Sequence, residues 1–118
     1  GLHYQIKKPQ GKFISVLKGE ILDVALDLRK KSKTFGKHYK IVLSEKNCKS
    51  IYIPEGFAHG FSCLGKENIV IYSCTNYRNP LGERGILWND KTLKKNWKIK
   101  NPIISEKDKL NPKFKDQF

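Results

Sequence analysis

Short apolar-polar alternations, each ended by Gly, Pro, Asn or Ser, recur along this chain, and their two-residue period predicts the strands of a sandwich or barrel. Lys12 to Lys18 reads as one strand, followed by a turn at Gly19 and Glu20. In Ile21 to Leu28, the residues Leu22, Val24, Leu26 and Leu28 share one face, while Asp23 and Asp27 share the other with Ile21 and Ala25. That segment is expected to be a strand with one face on a core and one mixed. Arg29 to Lys37 is polar, contains Gly36, and reads as a loop. Tyr39 to Leu43, Ser50 to Ile53, Gly60 to Leu64 and Asn68 to Asn76 follow as further strands. The last of them aligns Val70, Tyr72 and Cys74, which predicts a Tyr72 side chain pointing inward among apolar neighbours.

The stretch Tyr52 to Phe61, Y-I-P-E-G-F-A-H-G-F, runs strand, Pro-Glu-Gly turn, and then a lone His between an apolar residue and a Gly. A small barrel presents one polar side chain to an internal cavity in this way, so His59 is expected to face one. After Pro80 the alternation stops, and Gly82, Gly85, Trp88, Asn89 and Asp90 read as a loop. The tail from Lys91 is Lys-rich and irregular, with a short helical turn expected around Thr92 to Lys95. Leu93, Trp97, Ile99, Ile103 and Ile104 are spaced apolar anchors that predict a tail packed on the barrel. Ser105 to Asp108 is expected to open a last helical turn with Ser105 as its N-cap.

At 118 residues the chain is read as one domain over its whole length, 1–118, without internal repeat or linker. It begins with Gly, contains no Met, and opens on neither a signal nor a transit pattern, so it reads as a fragment. No segment is apolar for long enough to span a membrane as a helix. Cys48, Cys63 and Cys74 are odd in number, far apart and in no C-x-x-C spacing, which argues against a disulfide framework or zinc knuckle and points to a reducing cytoplasm. The formal charge of +13 would suit a nucleic-acid partner. The basic residues are nevertheless overwhelmingly Lys and spread over the chain, with only Arg29, Arg78 and Arg84 to supply bidentate recognition. A solvated Lys-rich surface that attracts small anions such as a nucleotide diphosphate is the reading adopted, with no nucleic acid and no membrane as partner.

Candidate chemistry narrows by elimination. His3, His38 and His59 stand apart, without the H-x-H pair that a barrel metal site uses, so no metal is expected. No Ser or Cys sits in a nucleophile elbow, and glycine-rich phosphate loops are missing. Acid-base work remains. His3 alternates with Gln5 on one strand face and has the side chain suited to move protons near neutrality, although a strand His bonded to a neighbour fits the same pattern. Taken singly, Lys12 reads as a solvent lysine, Tyr72 as a core aromatic and Asp108 as a capping carboxylate. These residues are far apart in sequence, so spacing does not assemble them.

Several motifs in order do. Gly1 to Gln5 (G-L-H-Y-Q), Gln10 to Lys12 (Q-G-K), Gly19 to Leu28 (G-E-I-L-D-V-A-L-D-L), Ser32 to Gly36 (S-K-T-F-G), Ile71 to Tyr77 (I-Y-S-C-T-N-Y), Gly85 to Asp90 (G-I-L-W-N-D) and Ile104 to Asp108 (I-S-E-K-D) join the His59 stretch. Together they resemble the dTDP-4-dehydrorhamnose 3,5-epimerase family from Gly1 to about Asp108. The resemblance implies an all-β, cupin-type jelly-roll barrel with a short, partly helical C-terminal tail, working as a homodimer without cofactor or metal. It implies inversion of C3 and C5 of a dTDP-4-keto-6-deoxyglucose, on the way to dTDP-L-rhamnose for surface polysaccharide. By similarity His3 is the base and Asp108 the carboxylate that orients it. Lys12 steadies the enolate oxygen, Tyr72 returns a proton, His59 binds substrate, and Glu83 and Lys107 touch the nucleotide-sugar.

Two departures from the family pattern shape the expectation. Arg78 stands where the family often stacks an aromatic on thymine; a guanidinium stacks on a base and binds phosphate, so Arg78 is expected at the nucleotide with an altered contact. The family also carries a segment ahead of its G-L-H motif, with residues exchanged across the dimer, so the chain is read as N-terminally truncated. The alternatives are epimerisation of one carbon of another nucleotide-linked 4-keto sugar, and a non-catalytic basic barrel that binds sugar nucleotides or nucleic acid.

Overall fold

The computed structural model describes residues 1–93 and 96–118. Among them run eight strands: β1 (His3–Gln5), β2 (Lys12–Lys18), β3 (Glu20–Asp27), β4 (His38–Ser44), β5 (Ser50–Ile53), β6 (Phe57–Cys63), β7 (Ile69–Cys74) and β8 (Glu83–Gly85). Three short helical pieces follow: a 3-10 turn at Lys91–Leu93, helix α1 (Glu106–Lys109), and a 3-10 turn at Phe114–Asp116. The strands form two antiparallel sheets, a five-stranded one in the order β4-β3-β6-β1-β8 and a three-stranded one in the order β5-β2-β7. This is the expected all-β jelly-roll sandwich with a partly helical tail.

The chain passes from one sheet to the other at Gly19, whose φ of +81° suits glycine. A Cβ there would stand 2.2 Å from the carbonyl oxygen of Glu67, so both conformation and space demand the residue. Gly56, at φ +87°, likewise ends the Pro-Glu-Gly turn between β5 and β6.

β3 lies at the centre of the packing, and both of its faces are buried, not one. Leu22, Val24, Leu26 and Leu28 pack with Leu2, Ala58 and Ile86, and the tail residues Leu93 and Trp97 close over that side. On the other face, Ile21 and Ala25 join Ile14, Val16, Leu43 and Ile53 between the two sheets. Each fully buried Leu or Ile contributes about 1.5–3 kcal/mol, so this double layer carries most of the driving force. The face expected to be mixed is interior, and Asp23 and Asp27 are buried with it.

Other boundaries moved. β6 begins at Phe57, directly after the turn, instead of at Gly60, and β7 is shorter than the predicted Asn68 to Asn76. The segment after Pro80, read as loop, contains β8, which pairs residue for residue with β1. Three residues ending in a glycine carry too little pattern to reveal a strand; its partner at the other end of the chain makes it one. In the tail, Leu93 and Trp97 anchor as expected, whereas Ile103 is fully exposed and Ile99 is exposed at the surface. The helical turn expected around Thr92 to Lys95 is present at Lys91–Leu93, and its remaining positions, Lys94 and Lys95, lie outside the described residues. Ser105 caps α1, its Oγ accepting from the Asp108 amide at 3.2 Å. No helix among the described residues is long and apolar enough to cross a membrane.

Candidate active site

The sheets have unequal widths, and the three-stranded sheet ends at β7. Between β7 and the inner face of β1 and β8 opens a cavity of about 890 Å3, lined among others by His3, Gln5, Lys12, Phe57, Tyr72, Cys74, Arg78 and Glu83. His3 and Glu83 come from the five-stranded sheet, Lys12 and Tyr72 from the three-stranded one. The two sets of groups therefore address any bound molecule from opposite walls.

β1 turns His3 inward, away from Leu2 and Tyr4, which belong to the opposite core. The His3 Nε2 donates to Asp108 Oδ1 at 2.6 Å, which leaves Nδ1 as the ring nitrogen able to take up a proton. Asp108 is itself held by three further contacts. Its Oδ2 accepts from the amino group of Gly1 at 2.7 Å, its Oδ1 from Asn111 Nδ2 at 3.3 Å, and its amide is fixed by the Ser105 cap. Burial would raise its pKa, but hydrogen bonds from the Gly1 nitrogen and His3 outweigh that and hold it below the ordinary aspartate value. It stays a carboxylate beside His3.

Lys12 opens β2 on the face of Ile14 and Val16, and burial pushes its ammonium below the ordinary lysine range. Tyr72 stands opposite Ile14 in the β2–β7 register, so it does point inward. It is, however, 56% exposed, because what it meets is the open cavity and not apolar neighbours. Cys74 faces Lys12 across the same pair. Glu83 accepts from Arg78 Nε at 2.9 Å and from Lys107 Nζ at 2.8 Å. The bond from Lys107, with help from Arg78 and against the effect of burial, holds its carboxyl below the usual range. Arg78 lines the cavity; Lys107 reaches it through Glu83.

His59 is placed differently from its expectation. It is buried at 7% exposure, its Nε2 donates to Asp23 Oδ2 at 2.7 Å, and it is not part of the cavity wall described above. It pairs directly with His3 across β1–β6, so the two side chains share the face turned to the three-stranded sheet, with His59 buried beside the site. Sequence reasoning also left out Asp23, Gln5 and Cys74. The signal for Asp23 was available, since an Asp alternating with Ile21 and Ala25 on a core strand requires a partner. Among the described residues no group of three or more His, Cys, Asp or Glu is gathered as a metal site.

The arrangement supplies a carboxylate-oriented imidazole on one wall, and an ammonium and a phenol on the other. Such a set can take a proton from one face of a carbon acid, stabilise the resulting anion, and return a proton to the other face.

Comparison with known proteins agrees with this chemistry. The family model described as dTDP-4-dehydrorhamnose 3,5-epimerase matches residues 1–116. The chain is 46% identical over 117 residues to the dTDP-4-dehydrorhamnose 3,5-epimerase of Shigella flexneri, an alignment covering 98% of this chain and 65% of that protein. The crystal structure of dTDP-4-dehydrorhamnose 3,5-epimerase from Elizabethkingia anophelis superposes with a TM-score of 0.96 at 45% identity, covering 99% of this chain and 66% of that one. The dTDP-6-deoxy-D-glucose-3,5-epimerase of Legionella pneumophila, crystallised in complex with dTDP-4-keto-L-rhamnose, superposes with a TM-score of 0.92 at 41% identity, covering 96% and 61% of the two chains. The chain thus spans 61–66% of the length of these three relatives.

Proposed function

Because the chain belongs to the dTDP-4-dehydrorhamnose 3,5-epimerase family, we propose that it carries the epimerisation of dTDP-4-dehydro-6-deoxy-D-glucose at C3 and C5, giving dTDP-4-dehydro-L-rhamnose. One observation carries the reading: the His3–Asp108 contact faces a cavity whose opposite wall holds Lys12 and Tyr72. Both C3 and C5 adjoin the C4 ketone, so loss of either proton yields an enolate. In this reading His3, held by Asp108, takes the proton from one face. The C–H bonding pair moves into the enolate, whose O4 charge the Lys12 ammonium stabilises. Tyr72 then delivers a proton from the other wall, and the carbon is inverted. Solvent returns His3 and Tyr72 to their starting states.

Glu83, Arg78 and Lys107 form a charged group at one side of the cavity, which supports placing the nucleotide diphosphate there. A substrate-binding His59 would act through Nδ1, since Nε2 is committed to Asp23. The same proposal includes a single functional domain, a homodimer and a cytoplasmic location. An association of copies is supported by the outer face of β2, β5 and β7, where Phe13, Leu17, Tyr52 and Ile71 lie exposed and uncharged in a chain of net charge +13. Sedimentation of the chain at several concentrations tests the dimer.

The activity is tested by proton NMR of dTDP-4-dehydro-6-deoxy-D-glucose in heavy water with the chain added. Loss of the C3 and C5 signals and appearance of the L-rhamno product is expected. Exchange at one carbon would identify a single-carbon epimerase, and its absence at both, with the nucleotide sugar bound, would leave a binding module.

A further inference from the structure

β3 holds a carboxylate where its packing least accommodates one. Asp23 lies between Ile21 and Ala25 on the face turned to the three-stranded sheet and is 1% exposed. Its Oδ2 accepts from His59, while its Oδ1 is buried without a hydrogen-bond partner among the described residues. Taking a carboxylate oxygen out of water without replacing its hydrogen bonds is unfavourable, and a valine would fill the position free of that cost. The other buried aspartate of the strand shows the contrast. Both oxygens of Asp27 are engaged by Arg29, Ser32 and Thr34, so its charge is spent in closing the following loop.

Asp23 is near two groups of the site. His59 is one, and it adjoins His3 in register. Lys12 is the other: burial disfavours its ammonium, while Cys74, Glu83 and Asp23 act in the opposite direction. Of these three, Glu83 is already paired with Arg78 and Lys107, and Cys74 is exposed, so Asp23 is the buried carboxylate among them.

We infer that Asp23 is a positioning residue of this site, whose carboxylate orients the His59 ring through one oxygen and sets a buried carboxylate beside the Lys12 ammonium, without touching substrate. The consequence for catalysis rests on the epimerase reading; the two local effects do not, and they are measurable in the chain without substrate.

The test is Asp23→Asn, which keeps the shape and removes the charge. Carbon-13 titration of the Lys12 ε-carbon and proton–nitrogen spectra of the histidine rings compare D23N with the parent chain. In D23N the Lys12 midpoint is expected to fall, and the His59 Nε2 proton to move upfield. Deuterium incorporation at C3 and C5 is expected to lose roughly tenfold or more in kcat with KM within about threefold. A folded D23N with both resonances unmoved overturns the inference and leaves Asp23 a packing residue. If D23N does not fold, the parent chain decides: its His59 Nε2 proton must resonate far downfield, as a bond to a carboxylate requires, and its absence there overturns the inference. A parent chain that fails to exchange C3 or C5 protons instead sinks the epimerase reading, with the Lys12 and His59 shifts still judged on their own.

Discussion

Tyr72 and Ile14 are direct cross-strand partners on the same face of the three-stranded sheet, yet Ile14 is wholly buried and Tyr72 is more than half exposed. The pair marks the line at which the interior stops being core and becomes site. Ile14 meets the apolar face of β3, whereas Tyr72, on the edge strand, meets the cavity. Tyr72→Phe therefore keeps the packing, and its stability should stay within about 0.5 kcal/mol of the parent. With the phenol gone, proton removal continues but return to the far face does not. Deuterium exchange should persist while conversion to the inverted sugar falls by roughly 10²- to 10⁴-fold. Unchanged conversion would remove Tyr72 from the role of acid.

His3→Ala and Asp108→Asn address the opposite wall. Each should lower turnover by about 10²-fold or more while the apparent affinity for the nucleotide sugar changes little, because neither contacts the charged group around Glu83. Steady-state kinetics and isothermal titration on the same preparations separate the two effects. Wild-type turnover in either variant would be incompatible with a His3 base.

Asp108 also predicts the acid limit of the fold. Its folded pKa lies below the ordinary aspartate value, so the folded state favours the carboxylate. That preference adds stability above pH ~4 and is lost as the pH falls further. Asp27, held down chiefly by its bond from Arg29 against the effect of burial, adds in the same direction over the same range. Thermal melts should lose stability steeply below pH 4, and Asp108→Asn should flatten part of that slope. A melting temperature independent of pH in this window would contradict both assignments.

Lys12 has the reverse sign. Burial lowers its pKa, so its charge opposes folding at any pH below its folded pKa, and the opposition fades as pH rises through that value. Lys12→Met should thus leave the chain as stable as the parent or more so at neutral pH, while enolisation falls by roughly 10²-fold or more. Urea denaturation together with the exchange assay checks both halves; a destabilised variant would show that the attractions of the ammonium outweigh the cost of its burial.

Gly19→Ala should destabilise by more than about 1 kcal/mol, since it strains a positive φ and drives a methyl into the Glu67 carbonyl. Denaturant midpoints of the two chains measure it, and a neutral result would mean that the crossing between sheets relaxes.

What could be read from residues alone followed from the range of the interaction. β2 and β5 fall where the alternation puts them, since Lys12–Lys18 and Ser50–Ile53 end at their own Gly and Pro signals. The Ser105 cap was legible for the same reason. β8 was not, because Glu83–Gly85 becomes a strand only through β1, and the exposure of Tyr72 depends on the width of the opposing sheet. His59 carries no sign in its neighbours that Asp23 will claim it. Assembly of His3 with Asp108 was accessible only through resemblance, and its geometry only through the fold.

His3 and Asp108 lie 105 positions apart, one on the first strand and the other on α1. All of the strands must close on themselves before that pair exists, and contacts of such long span form late because loop closure has to precede them. Competence is then a report on completeness. In refolding, the circular-dichroism signal of the sheets should return ahead of catalytic power, and a chain still emerging from the ribosome would stay chemically silent until α1 is free.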